Sequence, residues 1–377
     1  MTGTDRMGRV RAAMGEAGVS ALLLSHGADL PWLTGYRAMP LERVTLLVLP
    51  LEGDPVLLVP ALEAPRVPAG GAFEVRPWGE TEDPLALAVA LLGPQSGSTL
   101  AISDRAWATT VLGLQDRLPE ARFLAASTVT SPLRAVKDHA EIATLRAAAA
   151  AADRVAGQLQ AGLIPLIGRT EADVSAEIGR RLLAEGHQAV NFAIVGSGPN
   201  GASPHHEAGP RVIGPGEVVV CDFGGSLSLG PYTAPQGSTV GYCSDITRTV
   251  VTGPPTPEVA AAYAVLLESQ QAGVAAARAG ASAESVDAAC RTVIGEAGLG
   301  DRFIHRTGHG IGIEEHEDPY LVAGNRLPLA CGHAFSVEPG LYFPGRFGMR
   351  LEDIVVVGPE GPEALNTADH ALVVVEA

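Results

Sequence analysis

A chain of 377 residues, 46% hydrophobic and 18% charged, is long enough for two domains of ~150 residues each and too apolar for disorder. Its formal net charge of -16 and the lack of any basic run exclude nucleic acid and an anionic membrane surface as expected partners. Lys137 is its only lysine, so a phosphate-binding GK[ST] loop and a Schiff-base lysine elsewhere in the chain are excluded as well.

From the N-terminus, residues 1–13 hold arginines with no apolar run after them, and no segment approaches ~18 uninterrupted apolar residues. No export signal or membrane span is expected. Residues 5–17 are predicted to form an amphipathic helix. Ala21–Leu24, Val44–Leu49 and Val56–Val59 read as short buried strands, the last two separated by the turn residues 50–55. Leu85–Leu92 reads as helix, Leu100–Ile102 as strand and Thr109–Leu118 as helix, so the first ~130 residues are expected to be a small α/β domain with some parallel pairing. Ser131-Pro132-Leu133 interrupts this alternation and sets an expected boundary between domains 1–132 and 133–377.

Asp138–Leu159 is an alanine-rich run of strong helix formers, and Glu171–Glu185 is predicted to be a second helix with Thr170 as its N-cap. Phe192–Val195, Val218–Phe223 and Ile246–Val251 then read as strands. Pro257–Ala279 and Ser282–Ala297 read as helices, the latter ended by Gly298 and Gly300. Ala334–Val337, Leu351–Val357 and Ala371–Val375 are the final predicted strands, giving an α+β half with a largely antiparallel sheet.

The chemistry sits in that second half. Residues 307–317, Thr-Gly-His-Gly-Ile-Gly-Ile-Glu-Glu-His-Glu, place His309 and His316 in a glycine-rich segment. Asp222, Asp245, Glu338 and Glu352 each lie within or beside an apolar strand pattern. Singly, such an aspartate reads equally well as a turn or cap residue. Together, four carboxylates and one imidazole make a metal-site pattern, because buried charges are paired or coordinate metals. The carboxylates carry -4 formally, which two divalent cations would neutralise.

Other polar stretches read more plainly. Residues 196–201 lack a lysine or a helix start after them, so they read as a loop positioning His205 rather than a phosphate cradle. Residues 224–228 miss the last glycine of a G-x-S-x-G nucleophile elbow. Cys221 and Cys243 read as core residues, the four widely spaced cysteines fit a reduced, cytoplasmic setting, and His206 and His305 read as solvated bystanders.

Asp222, Asp245-Ile-Thr-Arg-Thr, Gly308-His309-Gly310-Ile311-Gly312, His316-Glu317, Glu338-Pro339-Gly340 and Arg350-Leu351-Glu352-Asp353, in this order, resemble the pita-bread metallopeptidases: prolidase, aminopeptidase P and methionine aminopeptidase. Asn200 with His205, residues 133–137 before the linker helix, and Leu33-Thr34-Gly35-Tyr36 extend the resemblance to the prolidase and aminopeptidase P group with its creatinase-like N-terminal domain. It implies an α/β creatinase-like domain followed by an α+β pita-bread domain. Asp222 would chelate one metal, His309 and Glu338 the other, and Asp245 and Glu352 would bridge both. His205 and His316 would contact the scissile carbonyl and its tetrahedral intermediate, and Glu338 would shuttle a proton to the leaving nitrogen. The resemblance also implies a homodimer and a peptide substrate with proline in second position. Oxygen-rich ligation with one nitrogen favours manganese, with cobalt or zinc as alternatives.

Two departures bear on substrate length. The Asp222-to-Asp245 interval is longer than the hairpin usual in the group, adding the loop 230–237. Tyr320 stands where many prolidases have arginine, leaving Arg350 as the expected reader of a substrate carboxylate. The reading is therefore an Xaa-Pro dipeptidase first, an Xaa-Pro aminopeptidase on longer peptides second, and a non-catalytic binding module as the alternative outside enzymes.

Overall fold

The computed structural model describes residues 3–94, 97–229 and 241–376, and the chain divides into two compact units with the break between Arg134 and Ala135. The first unit contains α1 (Gly3–Glu16), β1 (Ala21–Leu24), α2 (Asp29–Thr34), β2 (Leu46–Pro50), β3 (Val56–Pro60), β4 (Glu74–Trp78), α3 (Pro84–Leu92), β5 (Thr99–Ile102), α4 (Ala108–Arg117) and β6 (Arg122–Ala125), and ends in α5 (Ser127–Ala135). Its sheet runs β4-β3-β2-β1-β5-β6, parallel at β1–β5, β3–β4 and β5–β6 and antiparallel at β1–β2 and β2–β3. The expected mixture of pairings is present. The sequence-based break at 131–133 is not one locally, since α5 runs through Pro132, whose missing N–H removes one hydrogen bond from a helix of nine residues.

The second unit opens with two helices, α6 (His139–Gln160) and α7 (Glu171–Ala184). Asp138 caps α6 in a reciprocal box with Glu141, and Thr170 Oγ1 accepts from the Asp173 N–H to cap α7. Four strands follow: β7 (Ala189–Ser197), β8 (Val218–Leu227), β9 (Tyr242–Cys243) and β10 (Ile246–Val251). A second helix pair, α8 (Pro257–Ala276) and α9 (Ala283–Glu296), precedes β11 (Gly308–Gly310), β12 (Glu317–Leu321), β13 (Ala334–Val337), β14 (Gly340–Phe343), β15 (Phe347–Arg350), β16 (Asp353–Gly358), β17 (Gly361–Ala364) and β18 (Val373–Val374). One five-stranded sheet is ordered β18-β10-β8-β7 with β9 paired to β8, a second β12-β11-β13-β16-β17, and β14 and β15 form a two-stranded sheet.

Strand periodicity explains how polar groups come to lie inside this unit. Along β8 and β10, Val219, Cys221, Phe223, Ile246 and Val250 point to one face and pack with α6 and α7 in one core. The alternate positions, including Asp222, Thr247 and Thr249, point to the opposite face. Phe335, Val337, Val355 and Val357 of the second sheet pack with residues of α8 and α9 in another core. The sheets meet where Thr247 bridges Glu352 and where Thr249 Oγ1 donates to the Arg350 carbonyl at 2.8 Å.

Arg248 lies on the core face of β10, fully buried, and all five of its N–H groups are used. They reach Asp353 Oδ1 at 2.8 Å and the carbonyls of Thr247, Glu352, Ala368 and Asp369 at 2.7 to 3.0 Å. A second buried pair, Lys137 Nζ to Glu317 Oε1 at 2.5 Å, ties the start of the unit to β12.

Buried His333 accepts the Ala330 N–H at its Nδ1, and burial, then the Lys137 charge, lowers its pKa from 6.5 to about 4. Between those values the unfolded chain binds a proton that the folded chain does not, so stability is lost as pH falls through that window. In urea unfolding at pH 7 and pH 5, His333→Gln is expected to lose less stability than the parent on acidification. Equal losses would rule out His333 as a source of the acid sensitivity.

Candidate metal centre

The candidate ligands stand at strand ends and breaks. Asp222 lies within β8, Asp245 just before β10, His309 at the middle of β11, Glu338 just after β13, and Glu352 between β15 and β16. Gly308 and Gly310 flank His309 because a neighbouring backbone runs against that face of β11. A Cβ at Gly308 would come 1.9 Å from the Ser336 carbonyl oxygen, and one at Gly310 2.2 Å from that of Asp318. His309 therefore points the other way.

Ligand atoms of Asp245, His309 and Glu352, all buried, lie within 4.8 Å of one another, and this is the one cluster of metal-ligating groups found among the described residues. His309 Nδ1 lies 3.1 Å from the Gly310 carbonyl, which can only accept, so Nδ1 carries the proton and Nε2 presents its lone pair. That Nε2 faces Glu338 Oε1 at 3.2 Å and Asp245 Oδ2 at 3.8 Å. Three electron-rich atoms so placed need a proton or a cation between them.

The carboxylates make the same demand. Asp222 Oδ1, Asp245 Oδ1 and Glu352 Oε1 are buried with no hydrogen-bond partner among the described residues. Desolvating a charged oxygen without a partner is strongly unfavourable. Burial first, then the other carboxylates, push the pKa values of Asp245 and Glu352 well above the usual carboxylate range. Glu338 differs: burial pushes it up, but a positive charge and proton at His309 Nε2, where a cation would otherwise sit, outweigh this and hold it at about 2. Hard oxygens with one imidazole and three open oxygens fit divalent cations.

The remaining oxygens are held by neutral or cationic neighbours. Thr247 Oγ1 donates to Glu352 Oε2 at 2.6 Å, and Ser336 Oγ donates to Glu338 Oε1 at 3.1 Å while accepting the His309 N–H. Arg350 Nη2 donates to Asp222 Oδ2 at 2.5 Å, Nε to Thr247 Oγ1, and Nη1 to Tyr342 Oη and the Pro204 carbonyl. Arg350 is 2% exposed. The expectation that it reads a substrate carboxylate is corrected accordingly, since its guanidinium is spent inside the protein orienting Asp222.

His316 lies on the open side of the cluster, its ring centroid 3.8 Å from that of His309. Desolvation and the nearby His309 lower its pKa to about 4. Arg306 Nη2 donates to His316 Nδ1 at 3.4 Å, which leaves the neutral ring's proton on Nε2. His205 is exposed and stands close enough to His305 and His316 for a positive charge there to disfavour protonation of both. The loop 230–237 lies outside the described residues.

The two histidines read as bystanders are structural. His206 Nε2 lies 2.8 Å from Glu171 Oε2, and His305 is held between the Arg306 carbonyl at 2.7 Å and Tyr342 Oη at 2.9 Å. Sequence reasoning also missed two buried helix acids that hold the site segments. Glu171 of α7 accepts from the backbone N–H and hydroxyl of Ser197, at 2.8 and 2.7 Å, and from Asn200 and His206. Asp287 of α9 accepts from the backbone N–H and hydroxyl of Thr307, at 3.0 and 2.8 Å, and from Arg291. One clamp precedes the His205 loop and the other precedes His309. The local signal was a helix acid on an otherwise apolar face, as in Glu171 beside Val174 and Ile178.

Glu171→Gln would turn an amide N–H toward one of these donors. It is expected to destabilise the protein by about 1 to 3 kcal/mol in urea unfolding and to lower peptidase kcat/KM further than the stability loss explains. An unchanged urea midpoint with unchanged kcat/KM would show that the clamp does not hold the loop.

Comparison with known proteins agrees with this geometry. The chain is 46% identical over 374 residues to a probable dipeptidase PepE of Mycobacterium tuberculosis, covering 98% of this chain and 96% of that one. It is 34% identical over 362 residues to an Xaa-Pro dipeptidase of Lactobacillus helveticus, covering 93% and 94%. The solved prolidase of Thermococcus sibiricus matches it with a TM-score of 0.90 and 35% identity over 99% of each chain. Residues 6–136 match the Creatinase/Prolidase N-terminal domain and residues 143–359 match Metallopeptidase family M24. With a creatinase-type N-terminal domain followed by a pita-bread domain, the chain belongs to metallopeptidase family M24.

Proposed function

We propose that the protein is an Xaa-Pro dipeptidase working with two divalent cations, manganese favoured, held by Asp222, Asp245, His309, Glu338 and Glu352. The observation that carries this is the set of three buried carboxylate oxygens without partners around the exposed lone pair of His309. The activities named for the relatives from Lactobacillus helveticus and Thermococcus sibiricus support the proline-dipeptide reading. We take residues 133–377 as the catalytic domain and 1–132 as the creatinase-like domain, in a cytoplasmic homodimer.

Cations in this cluster supply a water made nucleophilic near neutral pH and a positive field at the scissile carbonyl. Glu338, ionised and held by the Ser336 hydroxyl, is placed to take the proton of the attacking water and deliver it to the leaving nitrogen. His316 presents its Nε2 proton to the carbonyl oxygen as negative charge develops there, and His205 is the second candidate for that contact. Arg350 orients Asp222.

Chelation is expected to abolish Leu-Pro hydrolysis, with manganese restoring it and metal analysis reporting two ions per chain. Asp245→Asn, equal in size but uncharged, is expected to lower kcat by ~10²-fold or more and to reduce metal content. Full activity in chelator would remove the metal reading and leave a metal-free enzyme of the fold, and no activity with or without added metal would leave a non-catalytic member. Faster cleavage of Leu-Pro-Xaa than of Leu-Pro would reassign the protein as an Xaa-Pro aminopeptidase.

A further inference from the structure

Asp245 reaches the cluster from a break between two paired strands. Cys243 pairs with Ser226 and Ile246 with Phe223, so Ser244 and Asp245 stand opposite Gly225 and Gly224. In a regular antiparallel ladder, Gly225 and Ser244 would exchange two backbone hydrogen bonds. The Ser244 N–H does reach the Gly225 carbonyl at 2.8 Å, but the Gly225 N–H goes to Ser244 Oγ at 3.1 Å. The hydroxyl oxygen thus replaces the Ser244 carbonyl, which lies against Gly224, where a Cβ would strike it. Strand pairing is interrupted at the residue before Asp245.

That hydroxyl is held by His187, which is buried at the end of α7. The backbone N–H and Nδ1 of His187 each lie 3.1 Å from the Leu182 carbonyl. A carbonyl only accepts, so Nδ1 carries the proton and Nε2 presents a lone pair, 2.8 Å from Ser244 Oγ. The Gly224-Gly225 pair is explained by the same contacts, since a Cβ at Gly225 would run into the His187 ring and the Ala189 carbonyl.

We propose that His187 is a positioning residue of the metal centre: its Nε2 lone pair fixes the Ser244 hydroxyl, and with it the strand break that turns Asp245 toward the other ligands. The inference rests on the metal-centre reading above and concerns the placement of Asp245 alone. Ser244 Oγ can accept the Gly225 N–H only while its own proton is directed elsewhere. Nε2 at 2.8 Å is the nearer acceptor for that proton. The Gly225 carbonyl at 3.3 Å already takes the Ser244 N–H. Burial lowers the pKa of the ring and keeps Nε2 an acceptor. The plainer alternative, a histidine that only closes a helix end, predicts a cost to stability and none to metal binding.

The test titrates manganese by calorimetry into the metal-free full chain of the parent, His187→Leu, His187→Gln, Ser244→Ala and the double variant His187→Leu/Ser244→Ala, with urea midpoints measured alongside. His187→Leu and Ser244→Ala are each expected to weaken manganese binding about 10- to 100-fold. The double variant should lose no more than either single one, because both remove the same contact. His187→Gln, whose amide oxygen can accept the hydroxyl proton, should stay within about threefold of the parent. Without the ring, the Ser244 hydroxyl can still donate to the Gly225 carbonyl, so His187→Leu is expected to fold. Manganese affinity equal to the parent's in His187→Leu, or in Ser244→Ala should the first not fold, overturns the inference whatever the urea midpoint. Equal weakening in His187→Gln overturns it too, since the accepting atom would then not be what matters. If the parent binds no manganese, the metal-centre reading fails and the inference falls with it. Binding by the parent with unchanged affinity in the variants removes the inference alone.

Discussion

Anionic oxygens desolvated at one point, without enough protein donors to satisfy them, are the constraint on which the catalytic half depends. Taking a carboxylate out of water costs several kcal/mol, and like charges nearby add to that cost. The protein offsets only part of it. Arg350 contributes one positive charge, and Thr247 and Ser336 each contribute one hydroxyl. Asp245 and Glu352 are left with raised pKa values and open oxygens. A site under-satisfied in this way is stable only when a cation completes it, so affinity for metal and strain in its absence are two aspects of the same deficit.

The surroundings show how a chain keeps such a site in place. Each five-stranded sheet of the second unit packs its apolar face on a helix pair, and from each pair one buried acid reaches through to hold a Ser or Thr next to a site segment. Glu171 on Ser197 and Asp287 on Thr307 use the same arrangement, a carboxylate accepting the backbone N–H and the hydroxyl of one residue. A longer relay of hydrogen bonds runs from Asp222 through Arg350, Tyr342 and His305 to the Arg306 carbonyl. Displacement of Asp222 is thereby coupled to the backbone that carries Arg306.

Strong local patterns in the sequence were legible to within a few residues. The helix read at 138–159 is α6 at 139–160, the strand at 246–251 is β10, and the α/β-then-α+β order holds. What was missed depends on tertiary context. β11 is Gly-His-Gly, poor strand chemistry that extends because the Ser336 and Asp318 backbones leave no room for a Cβ. α2 has six residues with Pro31 among them, and β4 is a half-exposed edge strand containing Pro77, so neither shows a clear period. The five candidate ligands were recognisable as a set because acids in apolar strands are unfavourable alone. The roles of Arg350, His206, His305 and Glu171 were not, because a hydrogen-bonding partner far off in sequence leaves no local mark.

The arginines show why that last limit matters for function. Arg350 stands in a motif with the candidate ligand Glu352, and proximity in sequence suggested a substrate contact. Yet four carboxylates in one buried cluster make an internal cation more valuable to the fold than to a ligand, and Arg350 is consumed there. Tyr320 interrupts the position where a second arginine was expected, and the structure brings Arg306 over its ring from fourteen residues upstream. A cation held by a neutral aromatic face keeps its charge uncompensated, whereas one held by a carboxylate does not. Support of the metal site is thus where the structure spends Arg350, while Arg306 rests on the Tyr320 ring with no carboxylate partner among the described residues.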